Sequence, residues 1–291
     1  MTPRVAFQGE RGAFSEEAAL RLLGEYIELV PRPTFAALFT SFAEAVTDYI
    51  LSPIENSLAG TVHAACDLLR ESNLSICGEV ILPITLNLIA CPNARFEDIN
   101  AVESHPVALA QCERFFAANP QIRRFAAEDT AGSVARIVAE GDTRRAAIAG
   151  HRAAQVYSGA ILREHLEDHP ENYTRFVLLA PSSEISEGAD KLSLVMKLRH
   201  RPGALHSALG PFARRGIDLL KIESRPIHGQ PWEYHFYLDL RGSTKDAEVA
   251  GAMAELEDFA SEVRILGCYP SASLGAQASL PASSYPTSEL K

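Results

Sequence analysis

From residue 4 to about residue 180, short apolar runs alternate with segments whose apolar positions return every three or four residues. Strand and helix periods alternating in this way predict an α/β domain built on a largely parallel sheet. Strands are expected at Arg4–Gln8, Tyr26–Val30, Tyr49–Ser52, Leu74–Gly78, Ile122–Ala126, Ala146–Ala149 and Tyr173–Leu179. Helices are expected at Ser15–Leu23, Phe35–Val46, Val62–Glu71, Val107–Ala118 and Thr130–Ala139. Ser15 ahead of Glu16 and Glu17 reads as a capped first turn, because a hydroxyl satisfies free N–H groups and carboxylates suit the helix dipole.

Pro181 to Asp190 is rich in Ser, Glu and Gly without apolar periodicity, the mark of a linker. Beyond it the period changes. Leu192, Leu194, Met196 and Leu198 alternate with Ser193, Val195, Lys197 and Arg199, which predicts a half-buried strand. Leu205, Leu209 and Phe212 fall at helical spacing, with Gly216 as a stop and Pro211 expected to kink the helix. Strands at Ile217–Ser224 and Trp232–Leu240, a helix through Val249, Met253 and Leu256, and a strand at Val263–Tyr269 complete the order βαββαβ. That order is ferredoxin-like, an antiparallel sheet with both helices on one face, whose uncovered face and edges invite a second copy. Residues 271–291 are Ser/Ala/Pro-rich and are expected to form a disordered tail.

Composition narrows the class. A chain of 291 residues suits two domains, placed at 1–180 and 191–270 on either side of the linker at 181–190. With 47% hydrophobic and 22% charged residues it holds enough apolar surface for a sizeable core. The net charge of −10 opposes binding to nucleic acid or anionic membranes, so a small anionic substrate needs local cationic groups. Five cysteines, with no C-x-x-C pair and no histidines at zinc spacing, read as buried thiols in a reducing compartment, and no metal site is expected. The N-terminus lacks the apolar stretch of a signal peptide, and the longest apolar run, Val80 to Cys91, is too short to span a bilayer. A cytoplasmic location is expected.

Polar residues gather where predicted strands pass into helices. The loop from Gln8 to Ser15 can hold an anion at a helix N-terminus, or is simply a tight turn; it matches neither a Walker A loop nor a dinucleotide fingerprint. Ser15 can cap its helix and still contact a carboxylate. The stretch Ser52 to Ser57 leaves a strand where open α/β sheets bind ligands, and Glu55, Asn56, Ser57 and Thr61 form a dense polar set. Alternatively, Asn56 or Ser57 caps the helix that follows. Ser104 and His105 precede Pro106 at a helix start, and Glu128-Asp129-Thr130 makes a third junction; helix capping is the plain alternative. Arg175 stands in an otherwise apolar strand and needs a partner, either Glu164 or Asp168 or a substrate carboxylate, with the Thr174 hydroxyl beside it. In the second domain, Arg201 to Leu205 opens a helix and Glu223 to Pro226 ends a strand. Structural roles fit both, and so does an amino-acid pocket.

The ordered set of motifs resembles the prephenate dehydratases. Phe7-Gln8-Gly9 with Gly12-Ala13-Phe14-Ser15, Pro53-Ile54-Glu55-Asn56-Ser57 with Gly60, Ser104-His105-Pro106 with Gln111-Cys112, and Thr174-Arg175-Phe176 occur in that family's order. Gly203-Ala204-Leu205 and Lys221-Ile222-Glu223-Ser224-Arg225-Pro226 resemble the phenylalanine-sensing ACT domain that follows in it. The match covers about residues 4–270. The resemblance implies a cytoplasmic, cofactor-free enzyme converting prephenate to phenylpyruvate, water and carbon dioxide. It implies a catalytic part of type 2 periplasmic-binding-protein fold, with the site between two α/β lobes, and a homodimer or homotetramer assembled through ACT domains. The chain begins at the dehydratase motif, so the chorismate mutase domain of bifunctional relatives is expected to be absent.

Carried over by position, Thr174 would hydrogen-bond or protonate the leaving hydroxyl and Arg175 would hold a carboxylate. Glu55 is the more conventional acid, because a threonine hydroxyl donates protons poorly at neutral pH. Phe176 would wall the pocket, and Ser15, Asn56, Ser57, Thr61, Ser104, His105 and Thr130 would add polar contacts. Gly203, Ala204, Leu205, Glu223, Ser224 and Arg225 would hold phenylalanine. Here Asp218-Leu219-Leu220 replaces the family's Asn-Leu-Thr, and Asp218 would receive the effector's ammonium group. Tyr173 replaces a smaller aliphatic residue. An arogenate dehydratase, or a non-catalytic ligand-binding protein built on the same folds, are the competing readings.

Overall fold

The computed structural model describes residues 2–181, 185–199 and 201–273. The tail expected from residue 271 lies, from residue 274 onward, outside the described residues, as do 182–184 of the linker. By internal packing the chain divides into two compact units. The first holds the residues up to Cys66 together with Val80–Phe176, and the second holds Asp67–Glu79 and Val177–Ser273. The second unit therefore takes in a short stretch from the middle of the region upstream of the linker.

The chain runs β1 (Arg4–Gln8), α1 (Phe14–Leu23), β2 (Glu28–Arg32), α2 (Phe35–Ala43), β3 (Tyr49–Asn56), β4 (Gly60–Thr61), α3 (His63–Glu71) and β5 (Ser75–Pro83). It continues with β6 (Asn87–Ala90), β7 (Ala101–Ser104), α4 (Pro106–Ala110), α5 (Glu113–Ala118), β8 (Arg123–Ala126), α6 (Thr130–Glu140), β9 (Arg145–Ala149), α7 (His151–Tyr157), β10 (Ala160–Arg163) and β11 (Tyr173–Ala180). In the first sheet of the first unit, β1 pairs in parallel with β2 and β3, and β4 folds back antiparallel on β3. The second sheet has the order β10-β6-β9-β7-β8. In it β7 is parallel to β8 and β9, whereas β6 is antiparallel to both β9 and β10.

The central strands β6, β9 and β7 of this second sheet are buried on both faces, as helix cover requires, while the edge strand β8 is exposed. Leu88, Ala90, Ala146 and Ile148 join Phe116 and Ile122 in one core. Their strand neighbours Ile89, Ala147 and Ala149 pack on the other side with Val134 and Ile137 of α6 and Ala153 of α7. A strand buried on both faces shows no alternation, so periodicity does not mark β6, and β10 is too short, at four residues, to show a period.

Several expectations change. The helix expected over Val107–Ala118 is broken into α4 and α5, because the Asp168 carboxylate accepts from the backbone N–H groups of Glu113 and Arg114 at 2.8 and 2.9 Å and starts a new helix there. The helix α1 begins at Phe14 with Ala13 as its N-cap, so Ser15 lies inside the first turn rather than capping it. β3 runs on through Pro53 to Asn56 and turns into β4, so Glu55 and Asn56 stand on a hairpin, and the helix after it begins only at His63.

In the second unit, β12 (Lys191–Leu198), α8 (Ala204–Arg214), β13 (Leu219–Pro226), β14 (Tyr234–Arg241), α9 (Ala247–Leu256) and β15 (Ala260–Tyr269) follow the βαββαβ order. The antiparallel order β13-β14-β12-β15 buries Leu192, Leu194, Met196, Leu238 and Leu240 against Ala208, Phe212, Val249, Ala252 and Leu256 of the two helices. α8 continues through Pro211 to Arg214. The sheet face away from the helices is not open: Ser193, Val195, Tyr237 and Tyr269 are buried, and Ser193 Oγ lies 2.5 Å from Asp239 and 2.6 Å from the Tyr269 hydroxyl. β5 lies beside β15, pairing Ile76 with Gly267, which leaves β13 as the edge of this sheet. No helix among the described residues is long and apolar enough to cross a membrane.

Candidate active site

The β3–β4 hairpin is stitched to the start of β11. Asn56 Oδ1 accepts from the backbone N–H groups of Leu58 and Ala59 at 3.0 and 2.7 Å and so shapes the turn. Its Nδ2 donates to Asn172 Oδ1 at 2.8 Å, to the Tyr173 carbonyl at 3.1 Å and to Thr174 Oγ1 at 3.0 Å. Ser57 Oγ donates to the Glu171 carbonyl and accepts from Tyr173 N–H, both at 2.9 Å. These bonds hold Thr174, a nearly buried residue, with its oxygen toward Asn56. The hydroxyl proton of Thr174 consequently points elsewhere and is free to be given to a ligand.

One residue further on, Arg175 places Nη2 3.5 Å from Glu55 Oε2. The Arg175 side chain is only 12% exposed, and a charge so placed needs a partner. The partners expected from sequence are not the ones used: Asp168 is committed to the start of α5, and Glu164 is exposed. Thr61 stands opposite Glu55 in the hairpin register, and Phe176 is buried behind the site at 2% exposure.

Four other expected contacts sit in, or at the start of, helices and strands. Ser104 is fully buried in β7, where its hydroxyl donates to the Ile148 carbonyl at 2.6 Å, which leaves it no surface to offer a ligand. His105 caps α4, its Nδ1 accepting from Val107 N–H at 3.3 Å. Thr130 opens α6 behind Asp129, which supplies the cap by accepting from Gly132 N–H at 2.5 Å. Ser15 is buried in the first turn of α1.

Two side chains to which the sequence assigns no site role are fully buried and bonded, Asn172 beside the hairpin and Glu16 under the loop that precedes α1. Asn172, with no exposed surface, donates to Gln111 Oε1 at 3.0 Å while it accepts from Asn56. Glu16, also fully buried, accepts from Arg11 Nε at 2.7 Å, from Gly12 N–H at 3.0 Å and from Arg152 Nε and Nη2 at 3.1 and 2.9 Å. Burial opposes its ionisation, but the hydrogen bonds from Arg11, Gly12 and Arg152 outweigh this and hold the carboxyl below its ordinary value. The loop fits tightly on α7: Gly12 has φ +82°, and a Cβ there would meet the Ala153 backbone at 2.8 Å. A Cβ on Gly150 would meet the Phe14 ring at the same distance. Gly12 and Gly150 lie far apart in sequence, and nothing local to either glycine discloses this contact.

In the second unit Gly203 caps α8 in the left-handed conformation, φ +75°, with Ala204 and Leu205 as the first helical residues. Glu223, Ser224 and Arg225 end β13, and Arg225 Nη2 lies 2.8 Å from Asp67. Asp218 precedes β13 and pairs with Arg241 at 3.6 Å, both side chains being well exposed.

Comparison with known proteins gives the family. The chain matches the prephenate dehydratase family over residues 5–184 and the ACT domain family over residues 192–258. It is 38% identical to a bifunctional chorismate mutase/prephenate dehydratase of Neisseria gonorrhoeae, covering 93% of this chain and 75% of that protein. It is 40% identical to the chloroplastic arogenate dehydratase/prephenate dehydratase 1 of Arabidopsis thaliana, covering 92% and 72%. Among solved structures, prephenate dehydratase from Arthrobacter aurescens in complex with L-Phe superposes with a TM-score of 0.83 at 32% identity, covering 92% of this chain and 90% of the other. GqqA, described as a novel type of quorum quenching acylase, superposes with a TM-score of 0.82 at 30% identity, covering 93% and 98%.

Proposed function

Because this chain belongs to the prephenate dehydratase family and carries an ACT domain, we propose that it converts prephenate to phenylpyruvate, water and carbon dioxide and is regulated by phenylalanine. The observation that carries the reading is the fixed triad of Asn56, Thr174 and Arg175. Prephenate bears two carboxylates and a ring hydroxyl. The electron pair of the bond to the ring carboxylate moves into the ring as carbon dioxide leaves, and the hydroxyl departs as water after taking a proton. Arg175 holds a carboxylate, and the Thr174 O–H, turned away from Asn56, hydrogen-bonds the departing oxygen. Aromatisation supplies the driving force, so orientation in a cleft shielded from water is the main contribution asked of the protein. Glu55 orients Arg175 as its counter-ion; once a substrate carboxylate takes its place on Arg175, Glu55 can take up a proton from solvent and pass it to the departing hydroxyl. Ser57 and Thr61 border the same hairpin, and Phe176 backs it.

Arogenate carries an amino group in place of the keto oxygen, and relatives named for both substrates make it the second reading. The regulatory half rests on the ACT match and on the relative solved with L-Phe. We place the effector at Gly203, Ala204, Leu205, Asp218, Glu223, Ser224 and Arg225. Assembly as a dimer or tetramer through this domain is supported by the β13 edge, where Leu220 and Ile222 are 40% and 44% exposed. Five free cysteines fit a reducing compartment such as the cytoplasm.

The test is formation of phenylpyruvate from prephenate and of phenylalanine from arogenate, each with and without added phenylalanine. Release of a carboxylic acid from an N-acyl substrate is assayed alongside, since one structural relative is described as an acylase. Absence of both dehydration products would overturn the proposal.

A further inference from the structure

The side-chain amides of Asn56, Asn172 and Gln111 form one hydrogen-bonded series, and its direction is fixed at one end. Leu58 and Ala59 aim their backbone N–H groups at the Asn56 side chain. Only an oxygen can accept two donors, so the Asn56 nitrogen must face the other way, toward Asn172 and Thr174. Asn172 must meet it with oxygen, which turns the Asn172 nitrogen toward Gln111. Gln111 must then answer with Oε1. Its Nε2 points away from the series and meets no acceptor among the described residues.

Shape alone does not set the orientation of Gln111, since the two ends of an amide are nearly the same size. A half-turn about its last torsion would exchange two N–H donors for an oxygen. Beside a substrate with two carboxylates, that exchange replaces attraction by repulsion. Asn172 prevents it, because a fully buried donor that faced a second donor would be left unsatisfied at a substantial cost. The residue has both side-chain polar atoms engaged and no surface of its own to present.

We propose that Asn172 is a positioning residue: it relays the polarity of the Asn56 turn to Gln111, so that Gln111 offers N–H donors to a substrate carboxylate while Asn56 holds the Thr174 hydroxyl. The inference rests on the dehydratase reading above. It adds Gln111 to the substrate contacts and assigns its orientation to a residue that touches no substrate.

Asn172→Asp separates the two branches. A carboxylate still accepts from Asn56 but cannot donate to Gln111, which must turn and present its oxygen. With prephenate as substrate, kcat/KM is expected to fall about 100-fold, the size of effect seen when one oriented donor is lost from an active site. Gln111→Leu alone is expected to cost about 10-fold, and in the Asn172→Asp background it should cost nothing more, because the side chain it removes has already become unfavourable. Additive losses would overturn the relay; they are also the outcome if the new carboxylate acts only by repelling substrate. Should Asn172→Asp fail to fold, Asn172→Ala goes through the same cycle, with a loss of about 10-fold that is again less than additive with Gln111→Leu. A wild-type chain inactive on prephenate and arogenate would overturn the functional reading and the relay with it. A wild-type chain that is active, with additive variants, would overturn the relay alone.

Discussion

Arg225 grips Asp67 with two nitrogens: Nη2 lies 2.8 Å and Nε 3.3 Å from the carboxylate oxygens, joining the end of β13 to the middle of α3. The segment that resembles an effector motif therefore already has its guanidinium engaged. For Arg225 to take the carboxylate of phenylalanine it must leave Asp67, so the two carboxylates compete. Asp67→Asn is expected to tighten phenylalanine binding several-fold by calorimetry, and to cost only about 0.5–1 kcal/mol of stability because both partners are about a third exposed. Unchanged or weaker binding would refute the competition.

Thr174 is expected to act through its hydroxyl. Thr174→Val preserves the shape of the side chain while removing the O–H, and kcat should fall about 100-fold. Thr174→Ser keeps the oxygen 3.0 Å from Asn56 and should retain most of the rate. Near-normal turnover by Thr174→Val would remove this residue from the mechanism.

Glu16 makes stability depend on acid. Its folded pKa lies below the unfolded value of about 4.3, so its contribution is complete above that value and is lost as pH falls through the lower folded one. Denaturant midpoints from this source should be flat above about pH 6 and decline below about pH 4.5. Glu16→Gln should lower stability by about 3 kcal/mol and flatten the acid limb, since it leaves Arg11 and Arg152 without the carboxylate they share. An acid limb unchanged in Glu16→Gln would assign it to other carboxylates.

Gly12 and Gly60 have almost the same left-handed φ, +82° and +84°, but different surroundings. A Cβ on Gly60 meets open space, whereas one on Gly12 strikes the Ala153 backbone. Gly60→Ala should cost about 1 kcal/mol through backbone strain alone, and Gly12→Ala about 2 kcal/mol or more, with activity falling as the loop lifts from α7. Equal melting shifts for the two variants would show that the close approach is unimportant.

How much of this was legible beforehand differs by residue. Thr174, Arg175 and Glu55 could be singled out because polar groups at strand ends, and a guanidinium in an apolar strand, stand out against their neighbours. The counter-ion of Arg175 could not, since Glu55 lies far away in sequence and Glu164 and Asp168 are nearer. Ser104 had the same motif-level standing as Thr174, yet its hydroxyl serves the sheet by bonding Ile148. Nothing local distinguishes a serine turned into a sheet from one turned into a cleft.

The amino-acid sequence by itself determined the α/β and βαββαβ orders, because hydrophobic period is a local property and each element shows its own. It also determined the family, through motifs whose order carries far more information than any one of them. Only the tertiary structure decided which polar groups meet. Asn172 to Gln111, Glu16 to Arg152 and Arg225 to Asp67 join residues 61, 136 and 158 positions apart. Hydrogen bonds and ion pairs act over about 3 Å, so their partners are set by where the backbone has been carried, which the sequence encodes only through the fold as a whole.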